Sequence, residues 1–171
     1  MFQELNDLRK QRWKTAFAEK SPPTTEQRDE DINVKATIVI EHLIQASDVS
    51  HTMQHWHIYC KWNKRLFKEM RRAYKQGRMG ADPATFWYKG EIGFFDNYII
   101  PLAKKLKECN VFGVSSDEYL SYAVANREEW EQKGQQIVAE LVEEVTQEEE
   151  KEAKDKEVPS DKLKGTSVTF A

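Results

Sequence analysis

From Gln45 to Met70 the chain reads QASDVSHTMQHWHIYCKWNKRLFKEM; after a loop with Gly and Pro it resumes as FWYKGEIGFFDNYIIP, Phe86 to Pro101. Tyr59, Trp62, Leu66 and Met70 are spaced by three and four residues, which places them on one stripe of one helix. A stripe of this kind is ordinarily core. It predicts a helix from Gln54 to Gln76, stopped by Gly77. The isolated acid Asp48 comes just before it. A carboxylate in that position can cap a helix, pair with a base or bind a metal.

Upstream, Phe2, Leu5, Leu8, Trp13 and Phe17 follow the helical repeat and predict an amphipathic helix over Met1 to Ala18. Glu19 to Asp31, with Ser21-Pro22-Pro23, reads as a polar loop held out of helix by its prolines. Asp31 can then cap a helix from Ile32 to about Ser47. Ile38, Val39, Ile40, Leu43 and Ile44 make that helix apolar on most sides, which places it centrally in the core. The β-branched run at 38–40 would also suit a strand; its helical neighbours decide for helix.

Downstream, Gly80 to Pro83 reads as a loop, and Thr85 to Asn110 as a helix that Pro101 kinks or divides. Ser115-Ser116-Asp117-Glu118 is a start signal for a helix to Val145, with Tyr119, Tyr122, Ala123, Trp130, Ile137 and Leu141 on its packing face. From Gln147 a Glu/Lys run can prolong this helix until Pro159, and Lys162 to Ala171 reads as a disordered tail. The fold class is therefore all-α, with a domain over 1–145 and a charged, disordered tail over 146–171.

A chain of 171 residues is long enough for one domain with a real core. Its charge of −3 hides an uneven distribution. Between Lys61 and Arg78 bases dominate, with Glu69 the lone acid; from Glu140 to Glu157 acids dominate. The negative total and the lack of a base-reading motif argue against nucleic acid as partner. Cys60 and Cys109 lack metal-type spacing, so a reducing compartment is the default. No signal-peptide pattern and no apolar run of membrane-spanning length are present, which points to a soluble, cytoplasmic protein without membrane contact from this segment. Residues 62–78, WNKRLFKEMRRAYKQGR, also have the form of a basic amphipathic helix that calmodulin-like proteins or acidic membranes bind. His51, His55 and His57 crowd beside Asp48, and His51/His55 have the i, i+4 spacing that can clamp zinc on a helix. Partly exposed surface histidines are the plainer reading, with His42 at the core edge.

Several of these segments together resemble the C-terminal part of the class I cyclic-nucleotide phosphodiesterase catalytic domain. ASDVSHT, Ala46 to Thr52, is similar to that family's metal-binding Ala-x-Asp-hydrophobic-Ser-Asn-Pro segment, with His51 and Thr52 where Asn and Pro are usual. Tyr59 and Trp62 stand where the family carries Tyr and Trp on the next helix. GEIGFFDNYIIP, Gly90 to Pro101, resembles the family's Gln-hydrophobic-Gly-Phe-hydrophobic-Asp segment ending in Pro. The resemblance spans about Leu5 to Val138 and is strongest over 36–130.

The resemblance implies an all-α, HD-type catalytic domain, of which this chain is the C-terminal half, and a parent that is multidomain or membrane-anchored. It implies hydrolysis of cyclic AMP or cyclic GMP in signal transduction, with zinc plus magnesium or manganese as cofactors of the complete domain. Asp48 would be a metal ligand. Phe94 would stack on the purine and Glu91 would grip its edge. Tyr59, Trp62, Asn63 and Leu66 would support them, with His51 near the pocket. No catalytic residue is assigned, because the family's histidine motifs lie upstream of Asp48 and only His42 precedes it here. Glu91 replaces a glutamine, and an ionised carboxylate accepts but cannot donate, so nucleotide preference stays open. A pseudoenzyme that senses nucleotide without cleaving it, or an interaction module using the 62–78 helix, are the alternatives.

Overall fold

The computed structural model describes residues 2–18, 25–110 and 112–157, and every regular element in them is helical. Six helices follow in order: α1 (Phe2–Phe17), α2 (Thr25–Asp48), α3 (Trp56–Lys75), α4 (Trp87–Phe94), α5 (Ile100–Glu108) and α6 (Ser115–Glu157). Short 3-10 turns at Ser50–Met53 and Pro83–Thr85 lead into α3 and α4, and a π turn at Phe95–Ile99 joins α4 to α5. The all-α class expected from the sequence is the class observed.

The long α6 is the spine of the fold. Its Ala123, Trp130, Val138, Leu141 and Val145 meet Tyr59 and Phe67 of α3, Trp87 of α4, Phe95 and Ile99 of the π turn, and Leu102, Ala103 and Leu106 of α5. Tyr59 is central, with the rings of Trp56, Phe95 and Trp130 at 5.4, 5.3 and 5.8 Å. Burying such large aromatics dominates the stability of a domain this size.

Helix α3 stops where its glycine allows. Gly77 takes φ +70, the Arg78 amide donates to the Ala73 carbonyl at 2.9 Å, and the Gly77 amide donates to Tyr74 at 2.9 Å. That pair of bonds satisfies the end carbonyls only when the residue after the cap is left-handed, a conformation glycine adopts at no steric cost. Asp82 then caps the turn at Pro83 by accepting from the Ala84 amide at 3.0 Å. The expected break at Pro101 takes a specific form. Pro101 has no amide hydrogen, and the helix widens just before it: the Ile100 amide reaches back five residues to the Phe95 carbonyl.

Several expectations need correction. Helix α2 begins at Thr25, so Asp31 is interior and pairs with Lys35 one turn on at 2.7 Å instead of capping. Helix α2 is also not central: Ile38 and Ala46 are buried, but Ile40 and Ile44 are 55% and 60% exposed, because no described element packs over that side. The expected α3 stripe splits in two. Tyr59, Asn63 and Phe67, four residues apart, form the buried row, while Trp62 and Leu66 are 47% and 44% exposed.

Helix α6 passes 145 without a break and continues to Glu157, through the first part of the expected tail. The reason is charge. Glu144 accepts from Lys64 and Lys68 at 2.6 and 2.8 Å, Glu148 from Lys68 at 2.6 Å, and Glu149 lies 3.3 Å from Lys75. The basic face of α3 and the acidic run of α6 thus answer each other. Residues 158–171, with Pro159 and the tail expected to be disordered, and Ser21-Pro22-Pro23, expected as a loop, lie outside the described residues.

Candidate functional site

The candidate residues come from three places: the end of α2, the exposed-to-buried edge of α3, and α4 with its π turn. Facing positions on α3 and α4 are joined by a buried chain of hydrogen bonds whose direction follows from chemistry. The Trp87 indole can only donate, and it donates to Asn63 Oδ1 at 3.1 Å. The Asn63 amide is thereby fixed in orientation, and its Nδ2 donates to the Tyr59 hydroxyl at 3.2 Å. The Tyr59 proton is then directed to Glu91 Oε2, at 2.6 Å. Burial raises the Tyr59 pKa well above its ordinary value, and the Glu91 charge raises it further, so the hydroxyl keeps the proton it donates. Glu91 is raised above the usual carboxylate range by burial, against the opposing effect of the bonds from Tyr59 and Asn63.

One turn beyond Glu91, the Phe94 ring lies parallel to Tyr98, with centroids 5.4 Å apart and planes 9° apart. Its neighbour Phe95 faces the other way and is fully buried. Burial raises the Tyr98 hydroxyl, and the Asp48 carboxylate is near enough for its charge to add to the effect. Asp48 is the last residue of α2 and is exposed; the N-cap of α3 is His55, so the helix-cap reading of Asp48 does not apply.

The histidines do not form the helical clamp that their spacing would allow; His51 is half-buried and His55 and His57 are exposed, in line with the plainer surface reading. His51 lies in the 3-10 turn and His55 in extended backbone at the start of α3 (φ −50, ψ 144), so the i, i+4 geometry is absent. His55 Nε2 and the Tyr122 hydroxyl are 3.0 Å apart, and His51 lies tilted against Trp62 with centroids at 6.2 Å. Burial lowers the His51 pKa and favours the neutral ring.

A divalent metal needs several converging ligands; catalytic zinc takes three from the protein. Among the described residues no group of three His, Cys, Asp or Glu side chains is placed to hold a metal ion. Asp48 offers one exposed carboxylate, which does not make a centre by itself.

Sequence reasoning missed two supports of the site. Trp87 orders the Asn63–Tyr59–Glu91 chain, a role visible only once α3 and α4 are apposed. Asn126 of α6, almost fully buried, donates to the carbonyls of Thr52 and Gln54 at 2.9 and 2.7 Å and so pins the turn that follows Asp48. A signal for it existed: an amide between Ala123 and Trp130 on an apolar face needs buried partners.

The family model described as 3'5'-cyclic nucleotide phosphodiesterase matches residues 1–115. This chain belongs to that family. The phosphodiesterase match includes every candidate residue, from Asp48 to Phe94, and ends where α6 begins. Comparison with curated proteins and with solved structures returned no significant match. Among the described residues of this phosphodiesterase chain, no helix is long and apolar enough to cross a membrane.

Proposed function

We propose that this chain supplies the base-holding half of a site that hydrolyses cyclic AMP or cyclic GMP to the 5'-nucleotide, on the cytoplasmic side of the cell. The observation that carries the reading is the Tyr59–Glu91 bond at 2.6 Å, ordered by Asn63 and Trp87. It fixes one carboxylate oxygen and leaves the other to accept from a purine N–H. Phe94, with Tyr98 behind it, offers a flat apolar face for the ring. Trp62 and Leu66 lie on the exposed side of α3, and His51 sits against Trp62.

Glu91 gives this site a property an amide lacks. Ionised, it accepts only; in the neutral form that burial favours, it can also donate. The edge of either purine can therefore be met, with protonation deciding which.

Asp48 would contribute one ligand to the zinc and the magnesium or manganese of a complete domain. Those ions would supply a hydroxide and positive charge at the phosphate. With no second and third ligand among the described residues, no hydrolytic step is assigned to this chain alone. The alternative of a basic-helix interaction module is disfavoured, since Lys64, Lys68 and Lys75 are already paired with α6.

The test is to incubate the purified chain with each cyclic nucleotide and magnesium, manganese or zinc, and to measure binding by calorimetry in parallel. Binding without turnover is expected, with binding weakened by Phe94→Ala. Turnover abolished by Asp48→Ala would refute the half-site reading, and binding indifferent to Phe94→Ala would refute the base assignment.

A further inference from the structure

One buried titratable group lies apart from the candidate site. His42 of α2 is 2% exposed, in the seam where α1, α2 and α5 meet. Its Nδ1 lies 2.7 Å from the Ile38 carbonyl. A carbonyl only accepts, so Nδ1 carries the proton and Nε2 is left with a lone pair. The Lys105 ammonium of α5 donates to that lone pair at 3.1 Å. Trp13 of α1 closes the cluster: its ring meets the imidazole edge-on at 4.8 Å, and the Lys105 ammonium sits 5.4 Å over it. Trp13 is also the anchor of α1, packing with Ala16 on Ile38 and Cys109.

These contacts suit a neutral imidazole only. On protonation both ring nitrogens become donors, and Nε2–H would face an ammonium with no acceptor between them. The surroundings offer little compensation. From α1, Arg9 and Lys10 add positive charge; Glu108 at the end of α5 and Cys109 just beyond it lie near Lys105. On α2, Glu41 is the nearby acid, and Arg12 already donates to both its oxygens at 3.0 and 2.9 Å.

We propose that His42 is a proton-operated latch, holding α1 on the α2–α5 seam while neutral and releasing it when charged. Burial first, and then the Lys105 charge, lower its pKa from the ordinary 6.5, with the Ile38 bond opposing. A group whose pKa is lower when α1 is docked stabilises docking fully above 6.5 and loses that contribution as pH falls through the docked-state value. One proton can move the docking equilibrium by at most about tenfold per pH unit across that window.

The experiment is hydrogen exchange by mass spectrometry on the whole chain from pH 7.5 to 5, corrected for intrinsic exchange, with α3 and α6 as internal references. Loss of protection confined to α1 below pH 6.5 is expected in the wild type. His42→Gln, which still offers Lys105 an acceptor but does not titrate, is expected to abolish that pH dependence. Lys105→Met is expected to reduce it, because the opposing charge is gone. Should Gln be poorly tolerated, the wild-type imidazole nitrogens can be followed by NMR: the Nδ1–H form with a transition below 6.5 is expected. Protection of α1 indifferent to pH, equal loss in His42→Gln, uniform loss across all helices, or an Nε2–H ring would each overturn the latch.

Discussion

Replacing Tyr59 by Phe removes one oxygen and leaves the ring, which is 1% exposed, in place. The loss is the bond to Glu91 at 2.6 Å and the acceptor for Asn63 Nδ2 at 3.2 Å. A hydrogen bond to a charged group contributes roughly 1.5–3 kcal/mol, and a buried donor left without a partner costs about 1–3 kcal/mol. Asn63 is near enough to Glu91 to lower its pKa, so part of the second cost can be recovered by a small turn of the Asn63 amide. The expected destabilisation is therefore about 2–3 kcal/mol at neutral pH. Urea unfolding at 25 °C measures it, read as a shift in midpoint with unchanged slope. The carboxyl of Glu91 should at the same time rise further, since the Tyr59 bond is one of the effects holding it down. A change below about 0.5 kcal/mol, the usual range for surface substitutions, would refute the claim that the hydroxyl belongs to a buried, directed chain.

Two further outcomes follow from the same packing. Because burial raises Glu91 above 4.5, the folded state holds its proton more tightly than the unfolded one, and stability falls as pH rises through the window above 4.5. Glu91→Gln should therefore be more stable than the wild type at neutral pH, with the difference shrinking towards pH 4.5; parallel urea titrations across pH check this. At Gly134 an added methyl would lie 2.8 Å from Trp130 Cε2 and 2.9 Å from Cδ2. Trp130 is fully buried and donates to the Tyr88 carbonyl at 3.1 Å, so it cannot step aside. Gly134→Ala should then cost about 1–3 kcal/mol despite the gain of roughly 1 kcal/mol that alanine brings to an ordinary helix interior. A rise in melting temperature would contradict it.

What the sequence discloses is uneven. The α3 helix and its glycine stop were legible because both are local: periodicity and one left-handed residue. The start of α2 was not, since two prolines suggested a loop reaching Asp31, whereas the helix is already formed at Thr25. Its core assignment failed for a different reason. Apolar composition does not say which neighbours exist, and Ile40 and Ile44 face none among the described elements. The π turn escaped notice because it depends on which carbonyl the Ile100 amide chooses, although Pro101 announced some disturbance. At the site, Asp48, Glu91 and Phe94 were singled out by resemblance. The bond between Tyr59 and Glu91 spans 32 positions in sequence and had no local signature. Glu148 and Glu149 looked like tail from composition alone, and only apposition to Lys68 and Lys75 gives them partners.

Asn126 and Trp130 carry one more consequence. All the candidate residues fall within 1–115, yet the side chains that seat them belong to α6, which starts where that match ends. What is inherited as a recognisable unit is thus shorter than what folds as one. A chain trimmed at Ser115 would keep every candidate residue and lose the wall against which Tyr59 and Phe95 are packed. It would also free the carbonyls of Thr52 and Gln54, and with them the turn after Asp48. For this protein, the boundary of likeness and the boundary of integrity do not coincide.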